Sequence, residues 1–136
     1  MLIPLSLMVV LTFIIGFRLF YLRVQSVKQG QVKAGYYRLK EGQGPDRQTV
    51  QAENAYNNQF QMPLIFYTAC LYIEATGIGH QTFYCFAYLF VIFRYLHAVI
   101  LMGYNQLLHR MLAFWLSTFC LIGLWLAILV AVYTNY

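Results

Sequence analysis

From Met111 to the C-terminus the chain carries no charged residue. A run of this kind constrains the fold more than any motif does. About 20 apolar residues in a row suffice for a helix to cross the hydrocarbon of a bilayer. Backbone in hydrocarbon must also satisfy its own hydrogen bonds, and a helix does so. Residues 2–22 form a second apolar run, interrupted only by Arg18, and residues 82–103 a third, interrupted only by Arg94 and His97. Composition points the same way: charged residues make up 10% and hydrophobic residues 61%, whereas soluble domains carry about 25% charged residues. The chain reads as one all-α membrane domain over residues 1–136.

A fourth helix is expected from about 52 to 75, the second in chain order. It is preceded by the most polar part of the chain. Arg47, Gln51, Asn54, Asn58, Gln61, Ile65, Thr68 and Tyr72 recur at spacings of four and three, which places them on one face of a continuous helix. Amides in hydrocarbon need partners, so this face is expected to look into a bundle. The helices are then predicted at about 2–23, 52–75, 82–103 and 109–134, an up-down-up-down bundle with a loop over 24–50. Gly42, Gly44 and Pro45 interrupt any helix in that loop. Residues 2–22 read as a span and not as a cleaved signal peptide, since no basic residue precedes them and no A-x-A-like site follows. Arg18, near the end of this run, reads as a snorkelling side chain.

The net charge of +5 bears on topology, not on nucleic acid. Arg18, Arg23, Lys28, Lys33, Arg38, Lys40 and Arg47 cluster at the end of the first span and in the first loop. Arg110 lies at the third connection. The positive-inside rule places both connections in the cytoplasm and both termini on the opposite side, which is periplasmic for a bacterial inner membrane. Cys70, Cys85 and Cys120 follow no pairing or ligand spacing and read as small apolar residues. His80 reads as a solvated loop residue. No metal site is expected, because no second His or Cys stands at ligand spacing from His97.

The third span holds the least expected residues. Arg94 and His97 are three apart, hence on one face, and Leu101 and Tyr104 continue it. Because the second and third helices run in opposite directions, Asn58 and Gln61 fall at a depth similar to that of Arg94. Glu53 and Asn54 fall level with Tyr104 and Arg110. An ionisable residue inside a membrane helix is costly and marks a functional site by default. The acids are Glu41, Asp46, Glu53 and Glu74, none in the middle of a span. Arg94, Arg110 and Arg47 therefore give a pocket with excess positive charge, suited to a carboxylate-bearing ligand. The alternative is that Arg94 only fixes helix register through Asn58, Gln61 and backbone carbonyls.

These motifs resemble the MAPEG family, the membrane-associated proteins in eicosanoid and glutathione metabolism, in the form of its small bacterial members. In the stretch NNQFQMPLIFY, Asn58 matches the family's second-helix Asn. Gln61 stands where that motif has Glu, with Pro63 close behind, and Asn54 stands where it has Arg. Arg94, His97, Tyr104 and Arg110 match the third-helix pattern and the Arg that opens the last helix. The resemblance implies a four-helix homotrimer in the membrane that binds glutathione as co-substrate near the cytoplasmic face. It implies a thiolate attacking a lipophilic electrophile or reducing a lipid hydroperoxide. Arg110 would stabilise that thiolate and Tyr104 would hydrogen-bond it. Arg94, His97, Asn58, Gln61 and Asn54 would line the rest of the ligand, with Glu53 and Arg47 supplying charges from adjacent positions. The alternative is a non-catalytic membrane subunit with the same architecture and a structural or interaction role.

Overall fold

The computed structural model describes residues 1–134. Among them are six helices: α1 Leu2–Lys28, α2 Tyr36–Leu39, α3 Arg47–Asn58, α4 Met62–Thr76, α5 Gln81–Met102 and α6 Leu107–Thr134. Three of these, α1, α5 and α6, are long and apolar enough to cross a membrane. The first reaches five residues past its expected end, into the polar stretch, and closes on the left-handed turn at Gly30. The loop beyond it contains one helical turn, α2.

The single helix expected over 52–75 is two helices. The break lies at Gln59–Gln61, and its cause is Pro63. Proline has no N–H to give to Gln59, and its ring crowds the preceding turn. It is tolerated in the first turn of α4, where an N–H would be unsatisfied anyway. The chain turns instead through Gln59 and Phe60, whose N–H groups donate back to Tyr56 and Asn57. Gln61 adopts a non-helical conformation as the cap of α4. Upstream, Asp46 starts α3 with its carboxylate accepting from the Thr49 N–H and hydroxyl, an N-cap that the sequence offers directly. At the far end, α4 stops on Gly77 in the left-handed region, and the side chain of His80 caps α5 by accepting from the Thr82 N–H.

The break also rearranges the amide face. Gln51 turns inward, with Thr49, Ala52 and Ala55. Arg47, Asn54, Asn57, Gln61, Ile65, Thr68 and Tyr72 lie on the outside of the protomer, and Asn58 is half-buried. Within the protomer, then, most of this face points away from the core. A continuous helix would have kept these residues in line, but α3 and α4 have separate axes and separate registers.

The long helices pack through stripes at spacings of three and four. On α1 the stripe is Pro4, Met8, Leu11, Ile15 and Leu19. On α5 it is Phe83, Ala87, Phe90, Arg94, His97 and Leu101, and on α6 Ala113, Ser117, Leu121, Leu124 and Ile128. The helices α5 and α6 are close neighbours along their length, while α1 meets α3, α4 and α5. Phe66 of α4 stacks on Phe90 of α5 with ring centroids 4.4 Å apart. Gly123 lets α6 approach Phe86: a Cβ there would lie 2.6 Å from the ring. Arg18 is exposed, as a snorkelling residue would be, while Cys85 is exposed where a buried small residue was expected.

Candidate functional site

Arg94 sits on the core stripe of α5 with its side chain completely buried. Its partner comes from the break in the neighbouring helix. Ending α3 at Asn58 frees a backbone carbonyl that a continuous helix would have used. Arg94 Nη2 donates to that carbonyl at 3.0 Å and to Asn58 Oδ1 at 3.4 Å. A cation against the carbonyl end of a helix is favourable on charge grounds as well. The guanidinium is only partly satisfied, since Nε and Nη1 have no hydrogen-bond partner. Buried donors without partners are uncommon, and each calls for an acceptor.

Above Arg94 is a cleft of about 330 Å³ lined by Asn54, Asn58, His97, Leu101, Arg110, Met111 and Phe114. It joins α3, α5 and α6 at the end of the molecule that carries the first loop. Each residue has a local reason to be there. Asn54 and Asn58 are one turn apart on α3. His97 and Leu101 continue the buried stripe of α5 past Arg94. Arg110 and Phe114 are one turn apart on α6. The His97 ring lies against Phe114, centroids 5.9 Å apart. The Arg110 guanidinium is held by the turn that precedes α6, where Nη1 donates to Asn105 Oδ1 at 3.0 Å. Asn105 accepts a left-handed backbone there, which asparagine tolerates better than most residues. Among the described residues no carboxylate lines the cleft, and its charge comes from Arg110, with Arg94 bonded to the Asn58 that lines it.

Of the residues singled out from sequence, Asn54, Asn58, His97 and Arg110 meet in this cleft, with Arg94 at its base. The others stand apart. Gln61 is exposed at the α3–α4 break. Arg47 is exposed on the first turn of α3. Tyr104 is 59% exposed, beyond the end of α5, and its hydroxyl meets His109 Nδ1 at 3.0 Å. Glu53 adjoins Asn54 in sequence but points toward α1, because consecutive helical residues diverge by about 100°. There it meets Arg23 at 3.5 Å and hydrogen-bonds Lys40. The Lys40 ammonium, aided by Arg23, holds the Glu53 carboxyl below the usual carboxylate range despite the opposing effect of burial. The charge compensation expected of Glu53 is thus directed at the first loop. Met111 and Phe114 escaped the sequence reading; helical spacing from Arg110 was the signal for Phe114.

What this arrangement can do is bind an anion beside a half-buried amide and a histidine. The cleft's charged side chain is the Arg110 guanidinium, and Arg94, with two unpartnered nitrogens, is bonded to the Asn58 that lines it. Residues 1–130 match the MAPEG family. No curated protein and no solved structure matches the chain. A match over nearly the whole length, together with three apolar helices of spanning length, shows that the chain belongs to the MAPEG family of integral membrane proteins.

Proposed function

We propose that the protein is a glutathione-dependent transferase or peroxidase acting on lipophilic electrophiles or lipid hydroperoxides from the bilayer. On this reading it is a homotrimer of four-span protomers in a bacterial inner membrane, with both termini periplasmic. The observation that carries the reading is the cleft: Asn54, Asn58, His97 and Arg110 gathered with no carboxylate among them, and Arg94 bonded to the Asn58 that lines it. A peptide with two carboxylates and a thiol suits such a site. Arg110 opens α6, where the helix N-terminus adds to its positive charge. Positive charge favours the thiolate, which is the nucleophile. Attack on an electrophilic carbon forms the C–S bond as the leaving group departs. Reduction of a hydroperoxide consumes two thiols and leaves a disulfide, an alcohol and water. Exposed amides on α3 and at the α3–α4 break support the trimer, since such groups are poorly matched to lipid.

A second reading, a non-catalytic subunit of the same architecture, is favoured by one observation. Gln61 and Glu53, the two residues that could hold a ligand ammonium, are respectively exposed and engaged by Lys40 and Arg23. Glutathione binding separates the two readings. At about a hundred times Kd, a ligand adds about 2.7 kcal/mol to stability, so glutathione should raise the melting temperature of the solubilised protein. A melting temperature unmoved at saturating glutathione would favour the non-catalytic subunit.

A further inference from the structure

A larger cavity lies apart from the cleft. It is a groove of about 740 Å³ between α1 and α3, lined by Thr12, Phe13, Gly16, Phe17, Leu19, Phe20, Arg23, Tyr56 and Phe60. Phe13, Phe17, Phe20 and Phe60 leave half or more of their surface uncovered. Gly16 forms part of the floor, with the Tyr56 ring so close that a Cβ would lie 3.3 Å from it. One end is apolar; the other carries Arg23. Along α1, Thr12 and Arg23 are about 16 Å apart at 1.5 Å per residue. That is the depth of one leaflet, half of the roughly 30 Å hydrocarbon core.

Arg23 is placed as a headgroup contact would be. Its guanidinium stacks on the Tyr37 ring at 5.2 Å, which fixes its plane. Nη2 reaches Glu53 only at 3.5 Å, and the buried Nε has no partner. Lys28 at the end of α1 and Lys33, Arg38 and Lys40 beyond it add positive charge on this side of the molecule. From the matched length and the charge at one end, we infer that the groove holds an acyl chain of an anionic phospholipid. The lipid belongs to the leaflet on the first-loop side, and its phosphate sits at Arg23. A second copy of the chain is a poorer occupant, because it would have to bring an acceptor to Arg23. Of its four acids, Glu53 is already on Arg23, Asp46 caps α3, Glu74 lies at the far end of α4, and only Glu41 remains.

The test is native mass spectrometry of the detergent-solubilised protein with dioleoyl phosphatidylglycerol and dioleoyl phosphatidylcholine, whose tails are the same. The parent should retain phosphatidylglycerol about five-fold better, which is what one basic residue contributes at an anionic surface. Arg23→Gln should bring the two lipids level, and Arg23→Lys should keep the preference. Arg18→Gln, which removes an exposed cation of the same helix outside the groove, should leave it unchanged. An unaltered preference in Arg23→Gln, or an equal loss in Arg18→Gln, would overturn the assignment. So would efficient oxidative cross-linking between protomers through Phe17→Cys in a chain whose own cysteines are replaced by alanine. That result would put a second copy in the groove.

Discussion

At the scale of single residues, Arg94 has two tasks: one nitrogen closes the end of α3 while two donors remain free beneath the cleft. Replacing it with methionine keeps the bulk and removes both. The Asn58 carbonyl then loses its partner, and an unsatisfied buried group costs about 1–3 kcal/mol. We expect Arg94→Met to fold, to be less stable by about that free energy and so to melt lower, and to bind glutathione more weakly. Unchanged melting would remove Arg94 from the helix-end role. Glu53 behaves differently because its partners are in the loop. Its carboxyl is held below its usual range in the folded protein, chiefly by Lys40. A depressed carboxylate stabilises the fold above its unfolded pKa of about 4.3 and loses that contribution as pH falls through the lower folded value. Melting curves of parent and Glu53→Gln should therefore differ at pH 7 and converge as the pH is lowered below 4.3. A constant gap would show that the ion pairs contribute nothing to loop docking.

Among the elements, the turn between α3 and α4 shapes the site most. Pro63 ends one hydrogen-bond ladder, and the turn that follows leaves the Asn58 carbonyl free for Arg94. Pro63→Ala restores the missing N–H and should let residues 59–63 close into helix. Amide hydrogen exchange would then slow at Gln59–Met62, and glutathione affinity should fall as Arg94 loses its acceptor. Exchange as fast as in the parent would assign the break to something other than proline. This turn also marks how far the sequence could be read. Helices α5 and α6 were legible within a residue or two, because long apolar runs bounded by Gly77, Gly79 and the Gly103–Gln106 turn leave little choice. The amide face over 47–72 was not, because its spacing assumed one unbroken ladder through Pro63. Asn54, Asn58, His97 and Arg110 were placed together by depth on antiparallel helices, an argument that survives a local break. Glu53 and Tyr104 were placed by depth as well, and depth does not say which way a side chain points.

For the whole molecule, the decisive feature is that the amide-rich surface of α3 and the α3–α4 break is not covered within one protomer. Asn54, Asn57 and Gln61 are exposed, and Asn54 also lines the cleft. Assembly would cover these amides, so cross-linking in mild detergent should stop at trimers, and a clean monomer by mass measurement would leave them unexplained. The central claim, a cleft that holds glutathione as its thiolate, has a more direct test in ultraviolet difference absorbance against pH. Free thiols titrate near about 8.5, and lowering that by one to two pH units corresponds to about 1.4–2.7 kcal/mol in favour of the thiolate. The parent complex should show thiolate absorbance near neutral pH. Arg110→Ala should move the transition back toward the free value while affinity falls little, and Arg110→Lys should recover part of the effect. Identical titrations in the three proteins would remove Arg110 from the chemistry, and no thiolate signal in any of them would contradict the claim itself.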